Sequence, residues 1–297
     1  MMAFGHPANT AAATLAIAVW LLAGSGCQSH KAKAALNLFV YSQSDIRRCL
    51  RRIGCATFEY DRVERNGDGT QLRIWGSSCA SKSVLVLRLD GRAVTTPTVG
   101  DLSYLNDAGD VVAWYDFGHR AMIFRDRTAF RPWEFGFFGV DRGGRYFFVQ
   151  LEPRVTSVGP VDRPKNLFRI SDFEAREIFA SGNRVYLFEM GGPAVRCAVV
   201  EESQMGFSLA AEITIPRPGG SAPTPYYVED MDTRSGRVLL RDVFDKPFPS
   251  YWYLFDFNTR RIEKIGRAKH RAFFLLGDVL RAVETYPQEN PPKVRPP

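Results

Sequence analysis

The residues able to do chemistry are few in this 297-residue chain. Its four histidines are His6, His30, His119 and His270, and no HExxH, CxxC, GxSxG or phosphate-loop pattern occurs. Metal-centred catalysis and nucleophile-histidine hydrolysis therefore have no motif to rest on, and neither a metal nor a cofactor is expected. Asp116-Phe117-Gly118 has the letters of a kinase magnesium motif without its companion motifs, and it follows a strand-like run, so it reads as a turn. "ERNGDG" at Glu64–Gly69 resembles the start of an oxygen-rich calcium loop. It lacks the later bidentate acid and sits between two strand-like runs, so a hairpin turn is expected there.

Three segments rich in proline and glycine read as long loops able to shape a pocket: "EPRVTSVGPVDRPKN" from Glu152, "TIPRPGGSAPTPYY" from Thr214 and "VFDKPFPSYW" from Val243. Their polar and aromatic residues give the ligand-contact candidates Asp162, Arg163, Tyr226, Tyr227, Asp245 and Lys246, with Asp116 and His119 from a neighbouring loop. No catalytic residue is assigned. If the pocket were instead enzymatic, Asp116, Asp230 or Asp245 would supply the acids, as in a hydrolase or lyase acting on envelope polysaccharide.

The elements that must position these residues repeat. A glycine turn followed by a short apolar strand recurs as "GTQLRIW" from Gly69, "GDVVAW" from Gly109, "GRYFFV" from Gly144, "GNRVYLF" from Gly182, "GRVLLR" from Gly236 and "GDVLRA" from Gly277. The spacing is about 40 residues, the period of a four-stranded propeller blade. The one longer step contains the proline-rich stretch of residues 214–225. A second signature, a strand, a polar turn and another strand, is seen in "VLVLRLDGRAV", "NLFRISDFEAREIF" and "YLFDFNTRRIEKIG". Residues 35–286 divide into six units of about 42 residues, so the expected fold is an all-β six-bladed propeller, with seven tighter blades as the alternative. The chain ends on the first half of a blade, "RAFFLLGDVLRAVE", and begins on a second half, "ALNLFVYSQSDIRRCLRRIG", so pairing of the terminal strands would close the ring and cover its open edges. Within that N-terminal stretch Ile46, Cys49, Leu50 and Ile53 also have helical spacing, with Ser44 and Gly54 as caps. Strand and helix both remain open there, the repeat favouring strand.

The apolar run "AAATLAIAVWLLAG" is too short to span a bilayer and suits a secretory signal. The "GSGC" that ends it resembles the lipobox of bacterial lipoproteins. That resemblance implies a signal peptide over 1–27 and lipidation of Cys27; a tether over 28–34, the repeat-bearing propeller over 35–286 and a disordered Pro-rich tail over 287–297 complete the expected organisation. It further implies the bacterial cell envelope, with Gln28 after the cysteine pointing to an outer membrane facing the periplasm. Cleavage after Ala34, giving a secreted or periplasmic protein, is the runner-up, and a retained anchor the third reading.

Hydrophobic residues make up 45% of the chain and aromatic ones 13%, enough for a sizeable core. The net charge of +7 is uneven. Ring closure would bring Arg47, Arg48, Arg51 and Arg52 beside Arg260, Arg261, Lys264 and Arg267, a basic rim suited to anionic lipid, lipopolysaccharide or an acidic partner. Nucleic acid is not expected in that compartment. In "CATFEYDRVERNGDGTQLRIWGSSC" a hairpin symmetric about Gly67 would bring Cys55 opposite Cys79, as a disulfide needs. Cys197 reads as a buried core thiol. The glycine turns before "VVAW" and "YFFV", with "YLFDFNTRRIEKIG", resemble the blades of six-bladed TolB-like propellers. The resemblance implies a noncatalytic binding or assembly platform for a protein or glycan partner.

Overall fold

The computed structural model describes residues 39–41, 58–78, 81–88, 93–97, 102–116, 120–134, 136–190, 194–216, 226–242, 250–267, 271–275 and 279–283. Among these residues every regular element is a β-strand. β1 (Phe39–Tyr41) is followed by five sequential antiparallel meanders. The first comprises β2 (Phe58–Arg65), β3 (Gln71–Ser78), β4 (Ser81–Arg88) and β5 (Ala93–Pro97). The second comprises β6 (Leu102–Leu105), β7 (Val111–Asp116), β8 (Arg120–Ile123) and β9 (Thr128–Phe130). The third comprises β10 (Phe138–Val140), β11 (Tyr146–Glu152), β12 (Val155–Pro160) and β13 (Phe168–Ser171). The fourth comprises β14 (Ala175–Ser181), β15 (Arg184–Glu189), β16 (Val195–Ser203) and β17 (Gly206–Ile215), and the fifth β18 (Tyr226–Asp232), β19 (Arg237–Asp242), β20 (Tyr251–Asp256) and β21 (Arg261–Arg267). β22 (Arg271–Leu275) and β23 (Val279–Val283) form a last hairpin, and β1 lies beside β23, parallel to it, with Phe39 opposite Arg281. Each meander is the four-stranded unit from which propeller blades are built.

The repeat has a backbone cause. Gly69, Gly109, Gly144, Gly182 and Gly236 all adopt positive φ in the turn between the first and second strands of a meander. At Gly144 (φ 72) the requirement is double, because a Cβ there would also stand 2.6 Å from Asn106 Cα of the preceding meander. The same turn thus reverses the chain and lets successive sheets approach.

The core lies between successive sheets. Tyr104, Ala113, Ile123, Phe138, Phe147 and Val149 interdigitate between the second and third meanders, and Phe179, Phe188, Val228, Val238 and Phe255 between the fourth and fifth. Fully burying such a side chain is worth about 1.5–3 kcal/mol. Polar pins fix the spacing. Trp75 Nε1 donates to Ser103 O (2.9 Å), Tyr104 Oη to Phe138 O (3.0 Å) and Gln150 Nε2 to Ala175 O (3.0 Å), each from one sheet to the next.

Two expectations are corrected. The segment from Glu152 is largely no loop: the chain turns at Pro153-Arg154 and continues as β12, Arg154 adopting φ 56 without a glycine. Only the stretch after Pro160 is a loop. In "NLFRISDFEAREIF" the strand, polar turn and strand are β13 and β14, which belong to successive sheets, whereas "VLVLRLDGRAV" and "YLFDFNTRRIEKIG" are hairpins within one sheet. In the first hairpin Phe58 faces Ser78, where symmetry about Gly67 would set it opposite Gly76, because the turn falls later; a bulge between Tyr60 and Arg62 takes back only one residue of that shift. Cys55 and Cys79 lie outside the described residues, and this register does not carry the symmetry argument that paired them. Also outside them are Cys27, residues 42–57 with Arg47, Arg48, Arg51 and Arg52, and the tail over 287–297. Cys197 is a free, fully buried thiol, and burial pushes its pKa far above the usual range.

Candidate functional site

The third meander's first turn builds the site. Asp141 follows β10, and its buried carboxylate accepts N–H bonds from Gly143 (3.0 Å), Arg145 (2.6 Å) and Tyr146 (2.6 Å). Burial pushes this carboxyl up, while the three amides pull it down. The turn so fixed presents Arg145 and Tyr146 side by side. Below them Val161 N donates to Arg145 O (2.7 Å) and Arg163 N to Pro160 O (3.1 Å), a second turn that places Asp162 and Arg163 along the same edge.

These residues line a groove of about 680 Å³ between the second and third meanders, reaching Glu202 on β16 of the fourth. Val111, Val112 and Val161 give it an apolar floor, and Arg125, from the β8–β9 turn, its far rim. Tyr146 Oη donates to Glu202 Oε2 (2.7 Å), and Arg163 forms an ion pair with the same carboxylate. Burial, then the bond to Glu202, push the Tyr146 phenol up to about 12, so it is a neutral donor at any physiological pH. Arg145 stacks over the Tyr146 ring at 5.7 Å and donates to Gly182 O (3.2 Å). The groove thus offers guanidinium donors and a phenol held by one carboxylate, chemistry for holding a polar ligand.

A second set of charges is buried where the first, fifth and last sheets meet. β22 packs against both β18 and β2. Arg65 Nε bonds Asp230 Oδ2 (2.7 Å) with both side chains buried, and Phe274 N donates to the same oxygen (2.7 Å). Arg65 also donates to Asn66 O (3.0 Å), Gly67 O (3.0 Å) and Met231 O. One carboxylate therefore ties β2, β18 and β22 together.

The sequence candidates divide between opposite ends of the strands. Asp162 and Arg163 are in the groove. Asp116 ends β7, whose first two residues, Val111 and Val112, are the ones that line the groove. Tyr226 and Tyr227 begin β18, at the end away from its turn to β19. Tyr226 is buried with its ring 5.5 Å from that of Tyr253, while Tyr227 is exposed. His119, Asp245 and Lys246 lie outside the described residues. Of the rim, Arg260, Arg261 and Arg267 are exposed at or on β21, and Lys264 Nζ sits 3.1 Å from the centre of the Tyr251 ring. "NGDG" is a hairpin turn, Asp68 Oδ1 accepting from Thr70 N (2.9 Å) and Thr70 Oγ1 (2.6 Å), and no metal-ligand cluster occurs among the described residues. Arg145, Tyr146 and Glu202 were not among the candidates. The first two stand in the glycine turn "DRGGRYFFV", read only as structure, and Glu202 gave no local signal.

No protein family matches the chain, and no curated protein is similar to it. Solved structures are. A TolB-like protein from Agrobacterium tumefaciens matches with a TM-score of 0.43 and 12% identity over 77% of this chain and 91% of that one. An uncharacterized protein from Listeria monocytogenes EGD-e matches with 0.41 and 10% over 78% and 83%. A functionally unknown protein from Desulfotomaculum acetoxidans DSM 771 matches with 0.40 and 13% over 75% of each chain.

Proposed function

We propose that this chain is a noncatalytic binding or assembly platform of the bacterial cell envelope, a six-bladed propeller tethered through lipid on Cys27, whose groove beside Asp162 and Arg163 takes a protein or glycan partner. The observation that carries the reading is the groove itself: a cleft of about 680 Å³ with an apolar floor and charged residues around it, whose Glu202 is held by Tyr146 and Arg163. The Glu202 carboxylate so engaged orients the Tyr146 hydroxyl and the Arg163 guanidinium in the groove. Asp230, an acid the hydrolase or lyase alternative would use, is buried against Arg65 and the Phe274 amide. Five four-stranded meanders and a last hairpin with β1 beside it favour six blades over seven. In this reading the basic residues of β21 face anionic lipid or lipopolysaccharide near the tether.

The test is a pull-down from membranes with the tether intact, read by mass spectrometry, alongside incubation with envelope polysaccharide. One reproducible partner, absent from the Cys27→Ala control that no longer incorporates labelled palmitate, is expected. Cleaved polysaccharide with no recovered partner would overturn the reading.

A further inference from the structure

Sheet edges are templates for pairing, and proteins blunt them with short strands, prolines or charges. Four of the five meanders do so at their outer strand. β9 has three residues and β13 four, β5 ends in Pro97, and β21 carries Arg261, Glu263, Lys264 and Arg267. β17 does not. It runs for ten residues, GFSLAAEITI, with Glu212 its single charge, and Leu209 is 42% exposed. No strand pairs with its outer side among the described residues. A bulge at Ala210, between the pairs Val199–Ala211 and Val200–Leu209, breaks its register once and leaves Ala211–Ile215 as an uninterrupted edge.

A second groove, of about 400 Å³, lies on the face of this sheet toward the fifth meander, lined by Tyr186 of β15 and Val199 of β16 as well as by β17. Ala210, Ala211 and Ile213 form its β17 side, and Arg234 and Arg260 project from the turns of the fifth meander. Its one carboxylate, Glu201, is bound by Arg184. Arg234 and Arg260 are exposed and form no ion pair among the described residues. An unpaired strand edge beside two uncompensated guanidiniums calls for an extended backbone carrying negative side chains.

We propose that β17 is a strand-addition site for an extended acidic peptide segment of a partner protein, its backbone pairing with Ala211–Ile215 and its Asp or Glu side chains reaching Arg234 and Arg260. Backbone bonds supply the affinity and the arginines the specificity. The site is separate from the groove of Asp162 and Arg163.

The test is fluorescence anisotropy on the purified full chain. The probes are a fluorescein-labelled peptide alternating Glu with Val, its Lys-for-Glu counterpart, and two versions N-methylated on the odd or the even residues. The Glu peptide should bind and the Lys peptide should not. Only one N-methylated version should lose affinity, by about tenfold or more, since alternate amides face the partner strand. Arg234→Glu combined with Arg260→Asn, the latter suited to the φ of 56 at that position, should weaken binding by a similar factor. Equal binding of both N-methylated peptides would mean capture of an anion without strand pairing, as by a glycan or lipid headgroup, and would overturn the proposal. So would unchanged binding by the arginine variant, or a dimer in sedimentation that the peptide does not dissociate. The membrane pull-down run with the same variant separates the two readings: a partner still recovered there leaves the Asp162–Arg163 groove standing when strand addition fails.

Discussion

Arg65–Asp230 and Arg163–Glu202 are the same chemical pair in two places, and burial decides what each does. At the junction of β2, β18 and β22 the side chains are 6% and 0% exposed, and the carboxylate also accepts a backbone amide. In the groove Arg163 is 56% exposed and Glu202 18%. A pair closed off from water holds strands in place, because either partner alone would be an uncompensated buried charge. A pair open to water contributes little to folding and remains free to exchange partners with a ligand.

The largest expected effect breaks the buried pair. Asp230→Ala should lower stability by about 3–5 kcal/mol, read as the urea midpoint at unchanged slope. Arg65→Leu with Asp230→Leu should recover much of that loss, since no lone charge is left. A single-variant loss under about 1 kcal/mol would mean the junction is solvated and the contrast false.

A smaller loss is expected from the turn that positions the groove. Asp141→Ala orphans the amides of Gly143, Arg145 and Tyr146 and should cost about 1–3 kcal/mol, with Asp141→Asn costing less. Equal losses for the two would show that acceptor geometry at this turn is not what matters.

The groove side can be sharpened by pH. The folded Tyr146 phenol lies above its unfolded value of 10.0, at about 12, so the stabilisation it gives is full below pH 10 and lost as pH rises toward 12. Absorbance titration should show a late-ionising tyrosine, and Glu202→Gln should move it back toward the ordinary range. No movement would mean that Glu202 does not hold the phenol.

The smallest effect is expected at Arg154–Asp172, where the side chains are 63% and 72% exposed. Asp172→Asn should leave the melting temperature within error, and a clear drop would show that open pairs in this chain do more than the comparison allows.

Much of the fold was legible because the glycine before each second strand has a backbone reason to recur. The φ of 75 at Gly69 and 72 at Gly144 leaves a readable mark in the sequence. β12 was hidden by the opposite circumstance. Its turn uses Arg154 in a left-handed conformation, with no Gly or Asn to announce it, while Gly159 and Pro160 made a strand look like a loop. The groove was half legible: Asp162 and Arg163 lie in a real turn. Glu202 is 39 residues from Arg163 in sequence and meets it only because neighbouring sheets stack, which no local pattern encodes.

The most direct test is photo-crosslinking of the full chain in membranes, with the crosslinking amino acid in place of Asp162 in the groove or of Tyr227, exposed at the opposite end of the strands. Crosslinks to one partner from position 162 and none from 227 are expected. Crosslinks from 227 alone would contradict the placement of the binding site in the groove.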